Sequence, residues 1–262
     1  MLRKLYILVI LFCSHLGPAA FAQQLKVISY NIHHGADKDE KLTLDEIGEF
    51  IKGTGADLVG LQEVDSLCKR SGNVDQMKRL SEITGMHYAF VRHFAYDGGA
   101  YGLGLLSRYP LSDIRNDRIT SKVVDGQQRS LALLSAEVTI AKNKKVRLAT
   151  VHFALDQQTR MIQAGETIDY LMGDIPVILT GDLNAEPDNA VLERLGKHFS
   201  STVPSSEYTF PVDGATKTID YIMVSTADLD EIIQAEAHAE IHHSDHLPLS
   251  STFLLRKASD EK

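Results

Sequence analysis

A buried strand that ends in an acid and an amide is the first chemically informative feature of this sequence. Residues 177–180 are apolar and rich in β-branched side chains, as in a strand buried on both faces. Gly181 stops the run, and Asp182 and Asn184 follow on alternate positions, so both side chains can point toward one spot. Residues 185–188, which include a proline, predict the start of a helix. Two interpretations stay open: Asp182 and Asn184 serve a ligand or metal ion, or they cap the helix and close a turn.

Polar side chains recur where other strands are expected to end. The positions are Asn31, Glu63, His152, Asp182 with Asn184, Asp220, and Asp245 with His246. Singly, each has an ordinary explanation, because a lone Glu63 is typical of a solvated turn and a lone His152 of a satisfied core histidine. Six such positions at strand termini indicate that they converge on one site. Their oxygen and imidazole ligands, without cysteine, suit Mg²⁺, Mn²⁺ or Ca²⁺ better than Zn²⁺.

Apolar periodicity predicts the elements that must hold these residues. Strands are expected over 25–34, 57–61, 87–92, 101–107, 130–140, 145–153, 208–210, 218–224, 230–237 and 249–255. Helices are expected over 44–52, 75–84, 159–172 and around 191–195. Thr43 is a candidate N-cap, with Glu46 three residues further on. Residues 112–128 and 241–248 are interpreted as loops, the first with short strands, and Asn143 with Lys144 as a hairpin turn.

Strands outnumber helices in this pattern, and several strands pair through hairpins. The mixture predicts two stacked, mostly antiparallel sheets flanked by helices, a four-layered α/β sandwich. A doubly wound parallel sheet fits less well, because too many connections are short. The sequence contains no internal repeat, low-complexity tract or linker, so residues 23–262 are expected to form a single domain, with a frayed charged tail over 257–262.

The N-terminus has the layout of a secretory signal peptide. Arg3 and Lys4 precede a short apolar run, and Ala20-Phe21-Ala22 provides a small-residue cleavage site, so residues 1–22 are expected to be removed. The apolar run is too short to span a bilayer. The mature chain is therefore expected to be exported to the periplasm or the extracellular space. A retained membrane anchor is the alternative.

Composition limits the partners of the mature chain. The 262-residue chain is 44% hydrophobic and 24% charged, which is ordinary for a protein with a sizeable core. Loss of Arg3 and Lys4, the only charged residues of the first 22, changes the formal net charge from −8 to −10. An acidic average disfavours nucleic acid as a partner unless a local basic groove or a metal ion overrides it. Only Cys68 remains after cleavage, so no intramolecular disulfide is expected.

Eight short segments carry a resemblance to a known family. They are Ser29-Tyr30-Asn31, Leu61-Gln62-Glu63, Leu105-Leu106-Ser107-Arg108, Gln128-Arg129-Ser130-Leu131, Val151-His152-Phe153, Gly181-Asp182-Leu183-Asn184, Ile219-Asp220-Tyr221-Ile222 and Ser244-Asp245-His246-Leu247-Pro248. In these segments and in their order the chain resembles the endonuclease/exonuclease/phosphatase superfamily of DNase I-like phosphohydrolases. One departure is Leu103, in a stretch where the family often has asparagine.

The resemblance implies a role for each residue of the site. Glu63, Asn31 and Asp245 would bind the metal ion, Mg²⁺ by expectation. Asp182 would orient and deprotonate the attacking water, and Asn184 would hold that water or a phosphate oxygen. The remaining catalytic and substrate-contacting residues would be His152, the pair of His246 with Asp220, and Arg129, Tyr101 and His33. His33 and His34 remain open between substrate contacts and exposed loop residues.

Three functions are compatible with this set of residues. The first is an exported, metal-dependent phosphodiesterase or phosphatase that attacks a small or lipid-linked phosphate ester in line with water. The second is a DNase-like nuclease, and the third is a binding protein that has lost catalysis. Intact Glu63, Asp182 and His246 disfavour the third. A monomer without stable membrane insertion after cleavage is expected.

Overall fold

Twelve strands, four α-helices and one short 3-10 helix form the part of the chain that the structure describes, which is residues 23–124, 127–142, 144–225 and 232–255 of a computed structural model. The strands are β1 (Gln23–Asn31), β2 (Leu58–Ser66), β3 (His87–Tyr96), β4 (Gly99–Ser107), β5 (Leu111–Val124), β6 (Gln127–Ala141), β7 (Lys144–His152), β8 (Val177–Asp182), β9 (Phe199–Ser201), β10 (Asp220–Ser225), β11 (Ile232–Ala237) and β12 (Leu249–Leu255). The helices are α1 (Leu44–Thr54), α2 (Gln76–Thr84), α3 (Gln157–Leu171) and α4 (Ala190–Leu195), and the 3-10 helix covers His33–Gly35.

These strands form two six-stranded sheets. The first has the order β11-β12-β1-β2-β4-β3 and the second β5-β6-β7-β8-β10-β9. The β1–β2 and β7–β8 pairs are parallel, and the other named pairs are antiparallel. The predicted pair of stacked, mostly antiparallel sheets is therefore confirmed.

Strand alternation sorts the apolar side chains into three clusters, which lie between the layers of helices and sheets. Leu25 and Val27 on β1 face Leu148 and Ile178 of the second sheet, in a core between the two sheets. The opposite face of the first sheet is covered by α1 and α2 through Ile47, Ile51, Met77 and Leu80. The opposite face of the second sheet is covered by α3 and α4 through Ala164, Leu171, Val191 and Leu195. Helix, sheet, sheet and helix give the four layers expected from the sequence.

Several sequence-based boundaries are wrong. The sequence predicts mainly loop over 112–128, yet most of these residues lie in the long strands β5 and β6. Residues 185 and 186 are irregular and 187 and 188 lie in a turn, and α4 starts at Ala190, where Asn189 accepts a hydrogen bond from the Val191 backbone amide at 3.0 Å. The short strand β9 was not predicted, and residues 208–210 contribute only an isolated bridge.

The capping prediction for α1 also needs correction. Thr43 occupies the N-cap position, but its side chain makes no capping hydrogen bond. Its hydroxyl instead donates to the carbonyl of His243 at 2.6 Å. This bond ties the start of α1 to the loop before β12, so a tertiary contact replaces the local motif. The expected signal peptide, the Asn143 turn residue and the charged tail lie outside the described residues.

Gly60 lets the two sheets approach each other below the polar end of the core. A Cβ atom at Gly60 would overlap the Thr180 hydroxyl and crowd Thr150, both on the facing sheet. Gly60→Ala is therefore expected to lower the free energy of unfolding by about 1–3 kcal/mol, measured by urea denaturation. Gly53→Ala is the matched control, because it adds a Cβ in open space on α1 and should stabilise by about 0.5–1 kcal/mol. Equal stability of Gly60→Ala and the wild type would contradict this account of the packing.

Candidate active site

The inner faces of the two sheets change from apolar to polar toward one end of the sandwich. On β1, Ser29 and Asn31 continue the face that begins with Leu25 and Val27, because alternate residues share a face. Ser29 Oγ accepts a hydrogen bond from the Gly181 amide of the other sheet at 3.1 Å. Further along, Gln62 Nε2 donates to Thr150 Oγ1 at 2.7 Å. These bonds satisfy buried polar groups and join the sheets directly below the site.

Glu63 reaches the site through a break in strand register. The sequence suggests that residues 62–65 follow a strand, but they lie within β2, whose pairing with β4 shifts between Leu61 and Val64. Glu63 has a left-handed backbone with φ of 59°. Val59 and Leu61 pack beneath the helices, so simple alternation would direct residue 63 to that apolar side. The bulge turns Glu63 toward Asn31 on the inner face instead.

Asn31 connects the carboxylates of the two sheets. Its Nδ2 donates to Glu63 Oε1 at 3.2 Å and to Asp182 Oδ2 at 3.1 Å. Its Oδ1 accepts a hydrogen bond from the His33 amide at 3.0 Å, and its backbone carbonyl accepts one from Ser244 Oγ at 2.7 Å. Asn31 is 1% exposed, so this hydrogen bonding holds a fully buried amide in one orientation.

Asp182 is the centre of the polar end. His152 at the end of β7 and Asp220 at the start of β10 are its register partners on the neighbouring strands. Its Oδ2 lies 3.5 Å from His152 Nε2 and 3.7 Å from His246 Nε2. Its Oδ1 accepts a hydrogen bond from the backbone amide of Asn184 at 2.9 Å. Sheet pairing with β7 and the loop before β12 therefore bring two imidazoles to this carboxylate.

Asn184 is fixed by a bond to a neighbouring loop. Its left-handed backbone, with φ of 48°, follows β8, and its Nδ2 donates to the Phe153 carbonyl at 3.0 Å. The turn interpretation of Asp182 and Asn184 is thus correct for their backbone contact. It does not account for the contacts of Asp182 with His152, His246 and the Asn31 side chain, which come from other strands and loops.

His246 forms a buried pair with Asp220. Its Nδ1 lies 2.9 Å from Asp220 Oδ2, and the two side chains are 6% and 1% exposed. The loop that carries His246 is held by Ser244, whose Oγ accepts from the His246 amide at 3.3 Å. The Phe210 ring packs on the imidazole with a centroid separation of 4.8 Å. His246 is thereby confined to one position between Asp220 and Asp182.

The charge of this pair follows from its surroundings. Burial opposes a positive ring, but Asp220, then Asp182 and Asp245, raise the pKa of His246 to about 10. Burial raises the pKa of Asp220 above its ordinary value, while the charge of His246 opposes that rise. Near neutral pH the shared proton is on His246, because three carboxylates face the ring. The site therefore presents an imidazolium beside Asp182.

The residues predicted to contact substrate lie in different places. The cleft over Asp182 has a volume of about 600 Å³, and its lining includes two cations that the sequence did not single out, Arg160 and Lys217. Glu63, His152, Asn184, Asp245 and His246 line it as well. Arg129, Tyr101 and His33 are absent from the described lining of this cleft. Their contacts with substrate remain predictions.

Each of these three residues nevertheless has a defined setting. Arg129 is exposed on β6. Tyr101 is on β4, where burial and, next, the negative charge of Glu63 hold the pKa of its hydroxyl well above the ordinary value. His33 Nδ1 lies 3.6 Å from Asp245 Oδ1, next to the cleft. Lys217 and Arg160 were missed because nothing in their local sequence distinguishes them from surface cations.

The donor groups of the site fit a hard divalent metal ion. Glu63, Asp182 and Asp245 supply carboxylate oxygens to one cleft. Asn31 offers Oδ1 as a ligand, which also accepts from the His33 backbone amide, while its Nδ2 donates to Glu63 and Asp182. A second grouping, Asp182, Asp220 and His246, has ligand atoms within 4.8 Å of one another. The hydrogen bond between His246 and Asp220 makes that grouping an acid–base arrangement as well. The oxygen-rich set agrees with the predicted preference for Mg²⁺, Mn²⁺ or Ca²⁺ over Zn²⁺.

A two-sheet sandwich with acids, amides and histidines at one end defines the class of this protein. The chain belongs to the Endonuclease/Exonuclease/phosphatase family, whose family model matches residues 28–246. Members of this family are hydrolases that act on phosphate esters and generally depend on a divalent metal ion. The resemblance inferred from the eight segments is thus confirmed.

Individual relatives agree with this assignment. The uncharacterized protein YbhP of Escherichia coli strain K12 is 26% identical over 242 residues, which cover 86% of this chain and 94% of YbhP. The mannosyl-6-phosphatase Bt3783 of Bacteroides thetaiotaomicron VPI-5482 superposes with a TM-score of 0.71 at 17% identity, covering 88% of this chain and 100% of that chain. The human Nocturnin catalytic domain with bound sulfate gives a TM-score of 0.71 at 20% identity, covering 89% of this chain and 95% of that chain. At these identities the two solved structures show a shared fold.

Proposed function

We propose that this protein is an exported, divalent-metal-dependent hydrolase that cleaves a phosphate ester by in-line attack of water. The observation that carries the proposal is the buried Asp182 carboxylate, which lies within 3.7 Å of two histidine rings and is hydrogen-bonded to Asn31. The fold alone gives no reason for this cluster, because burying several carboxylates around one imidazolium costs stability. Catalysis explains their retention.

Glu63, Asn31 and Asp245 are the residues that would hold the metal ion. A bound Mg²⁺ would polarise a phosphoryl oxygen and offset the negative charge that develops there. Glu63 is suited to this role because it is partly exposed to the cleft and shares the Asn31 amide with Asp182. Asp245 lines the same cleft with 32% of its side chain exposed.

Asp182 orients the attacking water and accepts its proton. The backbone amide of Asn184 and the Nδ2 atom of Asn31 hold the Asp182 carboxylate in place, so little reorganisation is needed during the reaction. Asn184 lines the cleft beside it, where it can hold the water or a phosphate oxygen. His246, kept positive by Asp220, faces the position where negative charge accumulates on the phosphoryl group. His152 contacts a non-bridging oxygen from the other side of Asp182.

A small or lipid-linked phosphate ester is the substrate class that the cleft favours. Arg160 and Lys217 add two cationic side chains to the described lining beside His246, and Phe210 offers an apolar surface. Bt3783, which has the same fold, is named as a mannosyl-6-phosphatase, and Nocturnin was crystallised with a sulfate anion. Both names are compatible with a compact anionic group at the site.

A DNase-like nuclease is the alternative, and three of the basic residues that could support it already have partners within the protein. Arg115 pairs with Asp113 at 2.6 Å, and Arg108 pairs with Asp57 at 3.1 Å. Arg118 donates to the backbone carbonyls of Arg92 and His93, both at 2.8 Å. A groove that follows a nucleic-acid strand needs cations that point into solvent, where they can contact the phosphates of the backbone. These contacts therefore favour the small substrate over nucleic acid.

Hydrolysis assays test the proposal directly. We expect chelator-treated protein to be inactive and to recover with Mg²⁺, cleaving bis-p-nitrophenyl phosphate or p-nitrophenyl phosphate. The panel also includes mannose 6-phosphate, inositol phosphates, sphingomyelin and plasmid DNA. Preference for plasmid DNA would support the nuclease alternative. Absence of metal-dependent turnover on every ester would favour the non-catalytic binding protein.

Export and oligomeric state belong to the same proposal. None of the helices in the described ranges is long and apolar enough to cross a membrane. We expect the mature chain to begin at Gln23 and to be monomeric. Intact-mass measurement of protein from the native host tests the cleavage, and a mass that includes residues 1–22 would contradict it. Light scattering of the purified mature chain tests the monomer.

A further inference from the structure

A second cluster of potential ligands lies beside the catalytic cleft, on the turn that follows β1. His33 and His34 form this turn, and Glu40 comes from the loop after it. His34 Nε2 lies 3.0 Å from Glu40 Oε2, and His33 Nε2 lies 3.5 Å from Glu40 Oε1. One ligand atom from each of the three residues fits within 4.8 Å of the others. None of these three side chains is needed for the proposed attack of water on the ester.

The local backbone brings the two imidazoles together. His33 and His34 both have left-handed conformations, with φ of 43° and 46°, and their rings meet edge to face at a centroid distance of 4.4 Å. Ala36 and Leu42 form a bridge that closes the loop carrying Glu40. Adjacent residues in an extended strand would point their side chains to opposite faces. The turn instead directs both rings toward the same carboxylate.

The donor chemistry differs from that of the catalytic cleft. Two imidazoles and one carboxylate form the ligand set of three-ligand zinc sites, in which the fourth position stays open. The oxygen-rich set around Glu63 is suited to Mg²⁺ instead, so the two places should select different ions. Glu40 has 69% of its side chain exposed, which leaves the cluster open to ions from solvent.

Two further features of the histidines bear on a bound cation. His33 Nδ1 has no hydrogen-bond partner among the described residues and lies 3.6 Å from Asp245 Oδ1, just beyond hydrogen-bond distance, so a small movement of the ring would give it the carboxylate support that a metal-bound histidine commonly has. The His34 side chain is only 5% exposed, so its Nε2 is held in a fixed position facing Glu40. The Asp245 contact links the cluster to the catalytic cleft, because Asp245 lines that cleft.

We propose that His33, His34 and Glu40 bind one Zn²⁺ ion at a site separate from the Mg²⁺ ligands of the catalytic cleft. The ion would be held by the two Nε2 atoms and by the Glu40 carboxylate, with solvent completing its coordination. Through His33 it would also restrain Asp245, so the site would steady the neighbouring catalytic loop. The simpler alternative is that Glu40 only forms ion pairs with the two imidazoles.

Zinc titration of the mature protein distinguishes these alternatives. Chelator-treated protein is titrated with Zn²⁺ by calorimetry in excess Mg²⁺, and bound zinc is counted by elemental analysis after gel filtration. Co²⁺ substitution, read by visible absorption, reports histidine ligation independently. We expect one equivalent of Zn²⁺ to bind, and Glu40→Gln to weaken that binding by at least about 100-fold. Glu40 is exposed, so this variant should fold.

Two controls locate the ion. Asp39→Asn removes a neighbouring exposed acid that pairs with Lys38, and it should bind Zn²⁺ as the wild type does. Glu63→Gln alters the catalytic cleft and should also still bind one equivalent of Zn²⁺. Wild-type affinity in Glu40→Gln, or loss of the zinc only in Glu63→Gln, would overturn the proposal. Because the readout is stoichiometry and absorption, failure of the proposed hydrolase activity would not affect the outcome.

Discussion

Replacement of Glu63 by glutamine is expected to lower kcat/KM for Mg²⁺-supported hydrolysis by about 10³-fold, the scale of losing one group that stabilises transition-state charge. The reason is geometric as well as electrostatic. A register shift in β2 turns Glu63 from the helix-covered face to Asn31, 3.2 Å away, at the mouth of the cleft. A glutamine side chain would keep the shape and the Asn31 contact but would not supply a negative ligand. The measurement is kcat/KM with bis-p-nitrophenyl phosphate across a Mg²⁺ titration.

The fold of this variant should be unaffected, because Glu63 is partly exposed and lies in a bulge. Urea denaturation and far-ultraviolet circular dichroism would verify this. Glu49→Gln is the matched control, since Glu49 is an exposed residue of α1 that pairs with Lys52 at 3.5 Å. It should retain wild-type activity. Near-normal activity of Glu63→Gln at ordinary Mg²⁺ concentrations would remove Glu63 from the metal site.

Apolar periodicity predicts the layers, and it places most of the candidate site residues at strand ends, because both depend on strand alternation. Leu25 and Val27 enter the core between the sheets, and Asn31 continues the same face to the active end. In the same way, Ile178 leads to Asp182 on β8. A polar residue at the end of such a face had to meet its counterparts from the opposite sheet.

The failures have equally specific causes. Residues 112–128 lacked apolar alternation because β5 is the edge strand of its sheet, where charged side chains are common. The bulge at Glu63 depends on the pairing of β2 with β4, and no local sequence pattern predicts that pairing. Arg160 and Lys217 reach the cleft from α3 and from the loop before β10, so only tertiary structure reveals them. Local sequence patterns therefore locate the ends of the strands, but they do not predict the register in which neighbouring strands pair.

Asp220→Asn is expected to reduce kcat/KM by about 10²-fold at alkaline pH, the scale of one weakened electrostatic contact in the transition state. Burial lowers the pKa of His246, and Asp220 is the largest of the opposing influences that together raise it to about 10. Without the charge of Asp220, burial would lower the pKa of the ring, with only Asp182 and Asp245 left to oppose it. The imidazolium that faces the phosphate would then be lost at a lower pH than in the wild type.

The sign of the pH dependence follows from this shift. In the wild type, the ring keeps its proton as pH rises through neutrality, and activity that depends on the imidazolium falls only as pH approaches about 10. In Asp220→Asn the same fall should occur at a lower pH than in the wild type, so the deficit should be smallest in acid and grow with pH. A purely structural role for Asp220 would instead lower activity by the same factor at every pH.

A double-mutant cycle with Asp220→Asn, His246→Ala and both changes tests whether the two residues act as a unit. They lie 26 positions apart in sequence, yet their side chains meet at 2.9 Å in a buried, charge-assisted contact. Once His246 is absent, Asp220 has no ring to charge, so the double variant should be little worse than His246→Ala alone. Additive losses in kcat/KM would mean that Asp220 acts elsewhere, for example through the Thr209 hydroxyl that accepts from its amide at 3.3 Å. Strong non-additivity together with the shifted pH profile would identify Asp220 as the residue that keeps His246 positive during catalysis.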